Sequence, residues 1–356
     1  MISNDRQTER APFAVETPLR NCGRLQFLYP TLRQGLYQYF RGSPVRSVLM
    51  PDYVPQGVQD PFRKLGARIT YYTANIDLSL DKSEFVSLVA LSTPDVCVYV
   101  HHFGLYRADG VALVRSLLPE GAVLIEDFGH TLPCPGVALT GDICTYSFTK
   151  MVGVAEGSLM WFSRKSLLRQ SPRSPESGDS RRLRSRLTMR LRTESILART
   201  YAGPRLRTAV NTLLHRLQNY YPLLMDRYAE CFPRVGVHSI HALDRMNFDA
   251  VFARRKLLAL RYLSGIAWPF RLDLPDECFT AQALVGFPIR APDQCAFHAH
   301  MRARGVEGFT LVDHWWFKDT VGENSLLRNH YLLPLNHYLT ERDIDQVIGA
   351  VNAFRG

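Results

Sequence analysis

Lysine is scarce in this chain: six (Lys64, Lys82, Lys150, Lys165, Lys256 and Lys318) stand among 43 Lys+Arg. Arginine therefore carries most of the positive charge, and a lysine in a special setting stands out. Lys150 directly follows the apolar run Ile143-Cys144-Thr145-Tyr146-Ser147-Phe148-Thr149 and precedes a glycine-containing stretch, Gly153 to Ser158. Burial and neighbouring positive charge lower an amine from about 10.4 toward neutrality, and a neutral amine condenses with a carbonyl to a Schiff base. A guanidinium does neither.

A second strand-like run, Val123-Leu124-Ile125-Glu126-Asp127-Phe128-Gly129-His130, delivers Asp127, with His130 just beyond it. A carboxylate opposite an amine has a specific use: pyridoxal phosphate needs one at its ring nitrogen to stay protonated and act as an electron sink. His130 is placed to pack on such a ring or to reach its phenolic oxygen. The phosphate asks for hydroxyl and backbone N–H donors, ideally at a helix N-terminus. Ser147, three residues before Lys150, offers a hydroxyl. So does Thr31 in Tyr29-Pro30-Thr31-Leu32-Arg33-Gln34, at the expected start of a helix, with Arg33 as a charge partner. Taken singly these residues are bland, since a strand-end Asp or Thr is commonly a cap and a lone His a hydrogen-bonded core residue.

The elements that must position these groups show in the patterning. From about residue 46 to 163, short β-rich runs (45–50, 67–72, 96–100, 122–125, 143–147 and 159–162) alternate with amphipathic stretches at 55–65 and 109–118. Strands separated by helices imply βαβ crossovers, and near-continuous apolar strands imply a largely parallel sheet covered on both faces. Ligands of such sheets bind outside the carboxyl ends of the strands, where Asp127 and Lys150 fall. A helix is expected at 210–232. From about 234 the chain reads as a smaller α+β unit, with a strand near 283–289 and a last helix at 340–353 that Thr340 caps. At 356 residues, two domains or one with an appendage are expected, here 1–232 and 233–356.

A composition of 46% hydrophobic and 21% charged residues is globular rather than disordered. The net charge of +10 favours anionic ligands without choosing among them. Twelve arginines crowd residues 164–207, a loop followed by a basic helix. The plain reading is a solvated face, and the sharper one a dock for a phosphate-bearing or acidic partner. Aromatic residues are not interleaved there, which puts nucleic acid last. Without an 18-residue apolar run or a secretory h-region, a soluble cytoplasmic protein is expected, with no membrane partner. Seven scattered cysteines without a C-x-x-C pair argue against a disulfide framework or a zinc site.

At these residues the sequence resembles the DegT/DnrJ/EryC1/StrS aminotransferases, fold type I pyridoxal-phosphate enzymes. Glu126-Asp127-Phe128-Gly129-His130 resembles the family's E-D-x-x-Q/H element, and Ser147-Phe148-Thr149-Lys150 its S-x-x-K variant. Leu49-Met50-Pro51-Asp52-Tyr53 and Val100-His101-His102-Phe103-Gly104 are similar to V-P-x-Y/F and V-H-x-F/Y-G. Gly286 to Arg290, Met301 to Val306 and Leu333-Pro334-Leu335 are similar to the small-domain strand, helix-plus-glycine and closing strand. The chain departs from the pattern in three places. Thr31-Leu32-Arg33 stands for the usual Ser-Gly-Thr phosphate loop, Ala155-Glu156-Gly157-Ser158 stands for G-E/D-G-G, and an N-Y-R element is missing, which argues against a sugar-nucleotide acceptor.

The resemblance implies an α/β fold type I transferase: a large domain with a mostly parallel seven-stranded sheet, a small C-terminal α+β domain, and a homodimer. It implies Lys150 as the Schiff-base lysine, moving protons as base and acid in turn, with Asp127 at the pyridine nitrogen and His130 beside the ring. Ser147, Thr31, Leu32 and Arg33 would hold phosphate, Tyr53 would face the ring, and Arg328 would meet a donor carboxylate. The implied reaction moves an amino group from an amino acid such as glutamate or glutamine to a keto or aldehyde acceptor in a biosynthetic pathway. Elimination, decarboxylation or carbon–carbon bond formation on the same cofactor, and a non-catalytic descendant that binds an acidic partner, are the competing readings.

Overall fold

The computed structural model describes residues 25–75, 78–134, 137, 140–152, 154, 156–163, 235–291, 293–306, 308 and 330–355. The arginine-rich segment, the helix expected at 210–232 and Arg328 lie outside the described residues. In the larger sheet the strands are β1 (Leu25–Tyr29), β2 (Ser47–Pro51), β3 (Arg68–Tyr72), β4 (Val96–Val100), β5 (Val123–Phe128), β6 (Ile143–Ser147) and β7 (Ser158–Phe162). Their order is β1-β7-β6-β5-β4-β2-β3. The five from β3 to β6 run parallel, and β7 is antiparallel to both of its neighbours.

The apolar runs are continuous because each strand is covered on both sides. Helices α1 (Leu32–Phe40) and α2 (Gln56–Lys64) bring Leu36, Phe40, Val58 and Phe62 onto Val48, Met50, Val98 and Ile125. Helices α3 (Lys82–Ser92) and α4 (Ala108–Leu117) bring Phe85, Val111 and Val114 onto the alternate residues Leu49, Cys97 and Leu124. Burying one such aliphatic or aromatic side chain contributes roughly 1.5–3 kcal/mol, so this double layer fixes the strand ends that face the site.

The later elements are α5 (Val237–Asp244), α6 (Phe248–Gly265), α7 (Asp276–Thr280), β8 (Gly286–Arg290), α8 (Gln294–Ala303), β9 (His330–Pro334) and α9 (Glu341–Asn352). Strands β8 and β9 form a second, antiparallel sheet. Leu243 of α5, with Phe248 and Val251 of α6, packs on Tyr146, Leu159 and Trp161 of the large sheet. The rest of α6 joins α7 to α9 and the β8–β9 pair in a core that also takes in Tyr53 and Phe103. Helix starts follow the capping rules: Thr31, Asp81, Asn247, Asp293 and Thr340 each accept a first-turn N–H.

Cys97, Cys134, Cys144, Cys278 and Cys295 are free thiols, the first three buried. Among the described residues no helix is long and apolar enough to cross a membrane, and no group of three His, Cys, Asp or Glu residues is placed to hold a metal ion.

Candidate active site

A cavity opens at the carboxyl ends of β4, β5 and β6. Asp127, Gly129 and His130 line it from the end of β5, Lys150 from the turn after β6, Val100 and His102 from the end of β4, and Tyr53 and Pro55 from the segment after β2. The βαβ connections thus bring together residues far apart in sequence, as the sheet topology requires.

The strand β5 runs further than its apolar run suggests, so Asp127 sits inside the ladder, opposite Val100 on one side and Thr145 on the other. Its Oδ1 accepts two bonds, from the Thr145 hydroxyl and the Gly129 N–H, each at 2.8 Å. These fix the carboxylate plane and leave Oδ2 for the cavity. Gly129 forms the floor between acid and amine. A methyl there would stand 3.1 Å from Asp127 Oδ1 and 3.7 Å from Lys150 Nζ, so both atoms lie within 3.7 Å of one point.

Lys150 ends a short 3-10 turn, Phe148–Lys150, that leaves β6. Its side chain keeps accessible surface because it forms one wall of the open cavity. Desolvation of the ammonium nonetheless lowers its pKa, with Asp127 opposing. His130 is buried, and its Nδ1 has no hydrogen-bond partner. Burial, reinforced by Lys150, His102 and His330, holds its pKa well below the usual imidazole value. His102, stacked on Tyr53 with ring centroids 5.2 Å apart, is pushed down to about 3, chiefly by burial. Two histidines that burial makes less basic, one with an unpartnered ring nitrogen, give the lining hydrogen-bonding capacity for a ligand.

The adjoining acid has a different task. Glu126 is wholly buried; its Oε2 accepts the N–H groups of Thr140 and Gly141 at 2.9 and 2.7 Å, and Oε1 lies 2.9 Å from His101 Nε2. Because His101 Nδ1 accepts the Arg107 N–H at 3.2 Å, the ring proton sits on Nε2, donating to Glu126.

The segment after β4 is strained where it passes the site. Phe103 is fully buried at φ 61°, a left-handed conformation that is an outlier for a bulky residue, and Gly104 follows at φ 90°. A Cβ on Gly104 would fall 2.5 Å from the His130 carbonyl oxygen, so this approach requires glycine.

On the opposite side of Lys150 the residues expected to hold a phosphate share one sheet edge. Tyr29 and Ser147 both pair with Ser158 in the register. The Gly157 N–H donates to Pro30 O and the Phe148 N–H to Gly157 O, each at 3.0 Å, stitching the Thr31 segment to the lysine turn. Gly157 does so at φ 139°. The side chains are nonetheless engaged elsewhere. Thr31 Oγ1 caps α1 by accepting the Gln34 N–H at 3.3 Å. Ser147 Oγ lies 3.2 Å from Thr149 Oγ1. Arg33 Nη2 is 3.0 Å from Asp60 Oδ2, so its charge faces a carboxylate of α2. Leu32 opens α1 and packs against the core beneath β1 and β7.

Two residues that sequence patterning gave no sign of complete the surroundings. His330 Nε2 lies 3.2 Å from the hydroxyl of Tyr53, whose phenol burial keeps well above the usual range. Arg255 of α6, 2% exposed, donates to the carbonyls of Met151 (2.8 Å), Leu284 (2.6 Å) and Leu335. It thereby ties the residue after Lys150 to the segments flanking the β8–β9 pair. Basic residues in an arginine-rich chain read as surface, and only the fold reveals this one as a buried clamp.

No protein-family model and no curated protein matches the chain. Solved structures do. The sugar aminotransferase CalS13 from Micromonospora echinospora superposes with a TM-score of 0.61 at 16% identity, covering 92% of this chain and 87% of that one. DesV from S. venezuelae, in complex with a ketimine intermediate, gives 0.61 at 19% identity, over 92% and 84% of the two chains. A DegT DnrJ EryC1 StrS aminotransferase from Brucella abortus gives 0.59 at 16%, over 93% and 86%. At such identities the likeness establishes a shared fold: the chain has the α/β architecture of these fold type I aminotransferases, with its seven-stranded sheet.

Proposed function

We propose that the protein is a pyridoxal-phosphate-dependent aminotransferase of the DegT/DnrJ/EryC1/StrS type. One observation carries the reading: a lysine amine and a strand-end carboxylate line a single cavity, both within 3.7 Å of one point beside Gly129. The fold shared with CalS13 and with the Brucella abortus protein supports it, both being named as aminotransferases.

The residues present fit the cofactor at its ring end. Asp127 lines the cavity with Oδ1 engaged by Thr145 and Gly129, which leaves Oδ2 to meet a pyridinium N–H, and His130 brings a buried Nδ1 that lacks a partner. At the phosphate end the fit rests on the shared sheet edge of Ser147 and the start of α1. Bound there, pyridoxal phosphate supplies an aldehyde for amines and a protonated ring that delocalises negative charge. The chain's own residues do the rest. Lys150, whose amine desolvation makes less basic, lines the cavity and would take a proton from a substrate Cα and return one. Asp127 would accept the hydrogen bond of the ring nitrogen and hold its proton there. Tyr53, His102 and Val100 exclude water from one wall.

The purified protein, with pyridoxal phosphate added, should show a visible absorption band that borohydride bleaches and that Lys150→Ala lacks. Mixing with glutamate or glutamine should yield pyridoxamine phosphate and the keto acid. A band without transamination by any amino donor would favour elimination, decarboxylation or carbon–carbon bond formation; no band at all would favour the non-catalytic reading.

A further inference from the structure

Arg255 stands on the inward face of α6 between Val251 and Leu258, at the i+4 and i+7 spacing of a single stripe. Val251 belongs to the core against the large sheet and Leu258 to the core around β8 and β9, so the guanidinium sits where the two meet. Met151 is held at both ends there. Its N–H donates to Phe148 O at 3.0 Å, closing the turn that carries Lys150, and its carbonyl accepts from Arg255 Nη2 at 2.8 Å. Through Nη1 the same guanidinium holds Leu284 O at 2.6 Å, and the next residue, Val285, donates its N–H to the His130 carbonyl at 2.9 Å. One planar group thus references the lysine turn to the segment that holds His130, and its bond to Leu335, just past β9, anchors both.

For stability alone this is a poor arrangement. Carbonyl partners in place of a carboxylate leave much of the cost of taking a cation out of water unrecovered. Burial lowers the Arg255 pKa to about 10, with Tyr338 opposing, and Nε has no acceptor. An apolar side chain of similar volume commonly holds a fold as well or better, but it cannot span carbonyls from three segments in one plane. Burial and Asp127 are what shift the Lys150 amine, so Arg255 acts on it through geometry rather than charge. Resting on the aminotransferase reading, we propose that Arg255 is a positioning residue, which sets the Lys150 turn against the Asp127–His130 wall so that the amine meets an aldehyde held there.

The test compares wild type with Arg255→Lys, which keeps the charge and cannot span three carbonyls, and with Arg255→Met, which loses both. Val111→Ala, which opens a gap in the core between α3, α4 and the sheet, controls for lost stability. All four proteins are kept well below their melting temperatures. First, on protein free of cofactor, acetic anhydride labels Lys150 at graded pH and mass spectrometry reads the midpoint. It should lie below the ordinary lysine value of about 10.4 in wild type and Val111→Ala, and move up toward that value in both Arg255 variants. Second, with pyridoxal phosphate added, the visible band should form roughly 10- to 100-fold more slowly in both Arg255 variants. Pyridoxine phosphate, which has the ring and phosphate but no aldehyde, should bind all four alike. A midpoint moved only in Arg255→Met would make the effect one of charge, and one moved equally in Val111→Ala would make it one of loosening. Either overturns the proposal, as do Arg255 variants that match wild type or that lose pyridoxine phosphate as well. If Arg255→Met does not fold, Arg255→Lys decides alone, because a shift there comes with the charge retained. Wild type without a band, its midpoints split as expected, would sink the aminotransferase reading and keep the positioning role; transamination with unshifted variants would do the reverse.

Discussion

Glu126 and Asp127 are adjacent carboxylates on one strand, and the pleat turns them to opposite faces of the sheet. Glu126 is saturated: two backbone N–H groups and a histidine whose tautomer is itself fixed leave it nothing to offer a ligand. Asp127 is held at one oxygen only, and its neighbours in the cavity include a histidine nitrogen without a partner and an amine that desolvation renders less basic. Two acids of like chemistry are thus told apart by the completeness of their hydrogen bonding. Saturation marks the residue that builds the fold, and an open valence marks the residue that uses it.

The largest effects follow from exchanging each acid for its amide. Asp127→Asn should cut transamination by at least roughly a hundredfold, because the amide cannot hold a ring nitrogen protonated, while the melting temperature stays close to wild type. Glu126→Gln should do the opposite. If its NH₂ faces Thr140 and Gly141, two buried N–H donors lose their acceptor. If the amide flips, His101 must change tautomer and the Arg107 N–H is orphaned. Either way about 1–3 kcal/mol of stability goes, with activity per folded molecule retained. Denaturant titration beside turnover numbers decides the matter, and a stable, inactive Glu126→Gln protein would erase the distinction.

The same contrast explains what could be read from sequence. Asp127 and Lys150 were legible because strand ends in a parallel sheet face ligands and because lysine is rare here. The alternation of strands and helices was legible because burial on both faces leaves continuous apolar runs. Helix α3 was not. Phe85, Val86, Leu88, Val89 and Leu91 encircle its axis, with Val86 and Leu91 exposed, so no stripe announces it. Nor was β1, whose five residues at the sheet edge carry little pattern of their own. Saturation itself is a three-dimensional property. That Arg33 meets Asp60 and that Arg255 clamps three carbonyls both depend on pairings between segments that composition cannot report.

A smaller effect should appear in stability against pH. His102 titrates near 6.5 when unfolded and about 3 when folded, because burial disfavours its cation. Above pH 6.5 neither state is protonated and the residue contributes nothing. As pH falls from 6.5 toward 3 the unfolded chain takes up a proton that the native one refuses, so stability drops by up to about 1.4 kcal/mol per pH unit for this group. His130, shifted the same way, steepens the fall. Urea midpoints at pH 7.5, 6.5 and 5.5 should decline most over the last step, and His102→Asn should flatten the decline. A slope unaltered in His102→Asn would assign the acid sensitivity elsewhere.

The finest test uses two glycines with the same backbone angle. Gly104 has φ 90° and Gly121 has φ 88°, so replacing either by alanine carries a similar left-handed penalty of about 1 kcal/mol. Their surroundings differ. Nothing lies within 4 Å of a Cβ at Gly121, whereas at Gly104 the His130 carbonyl oxygen is 2.5 Å away. Subtracting the Gly121→Ala loss from that of Gly104→Ala therefore isolates the cost of crowding His130, expected at about 1–2 kcal/mol. The displaced backbone should carry the His130 ring with it and lower activity in Gly104→Ala, while Gly121→Ala turns over as wild type. Equal losses in both variants would mean that the loop at Gly104 yields freely and that the strain beside Phe103 does not position His130.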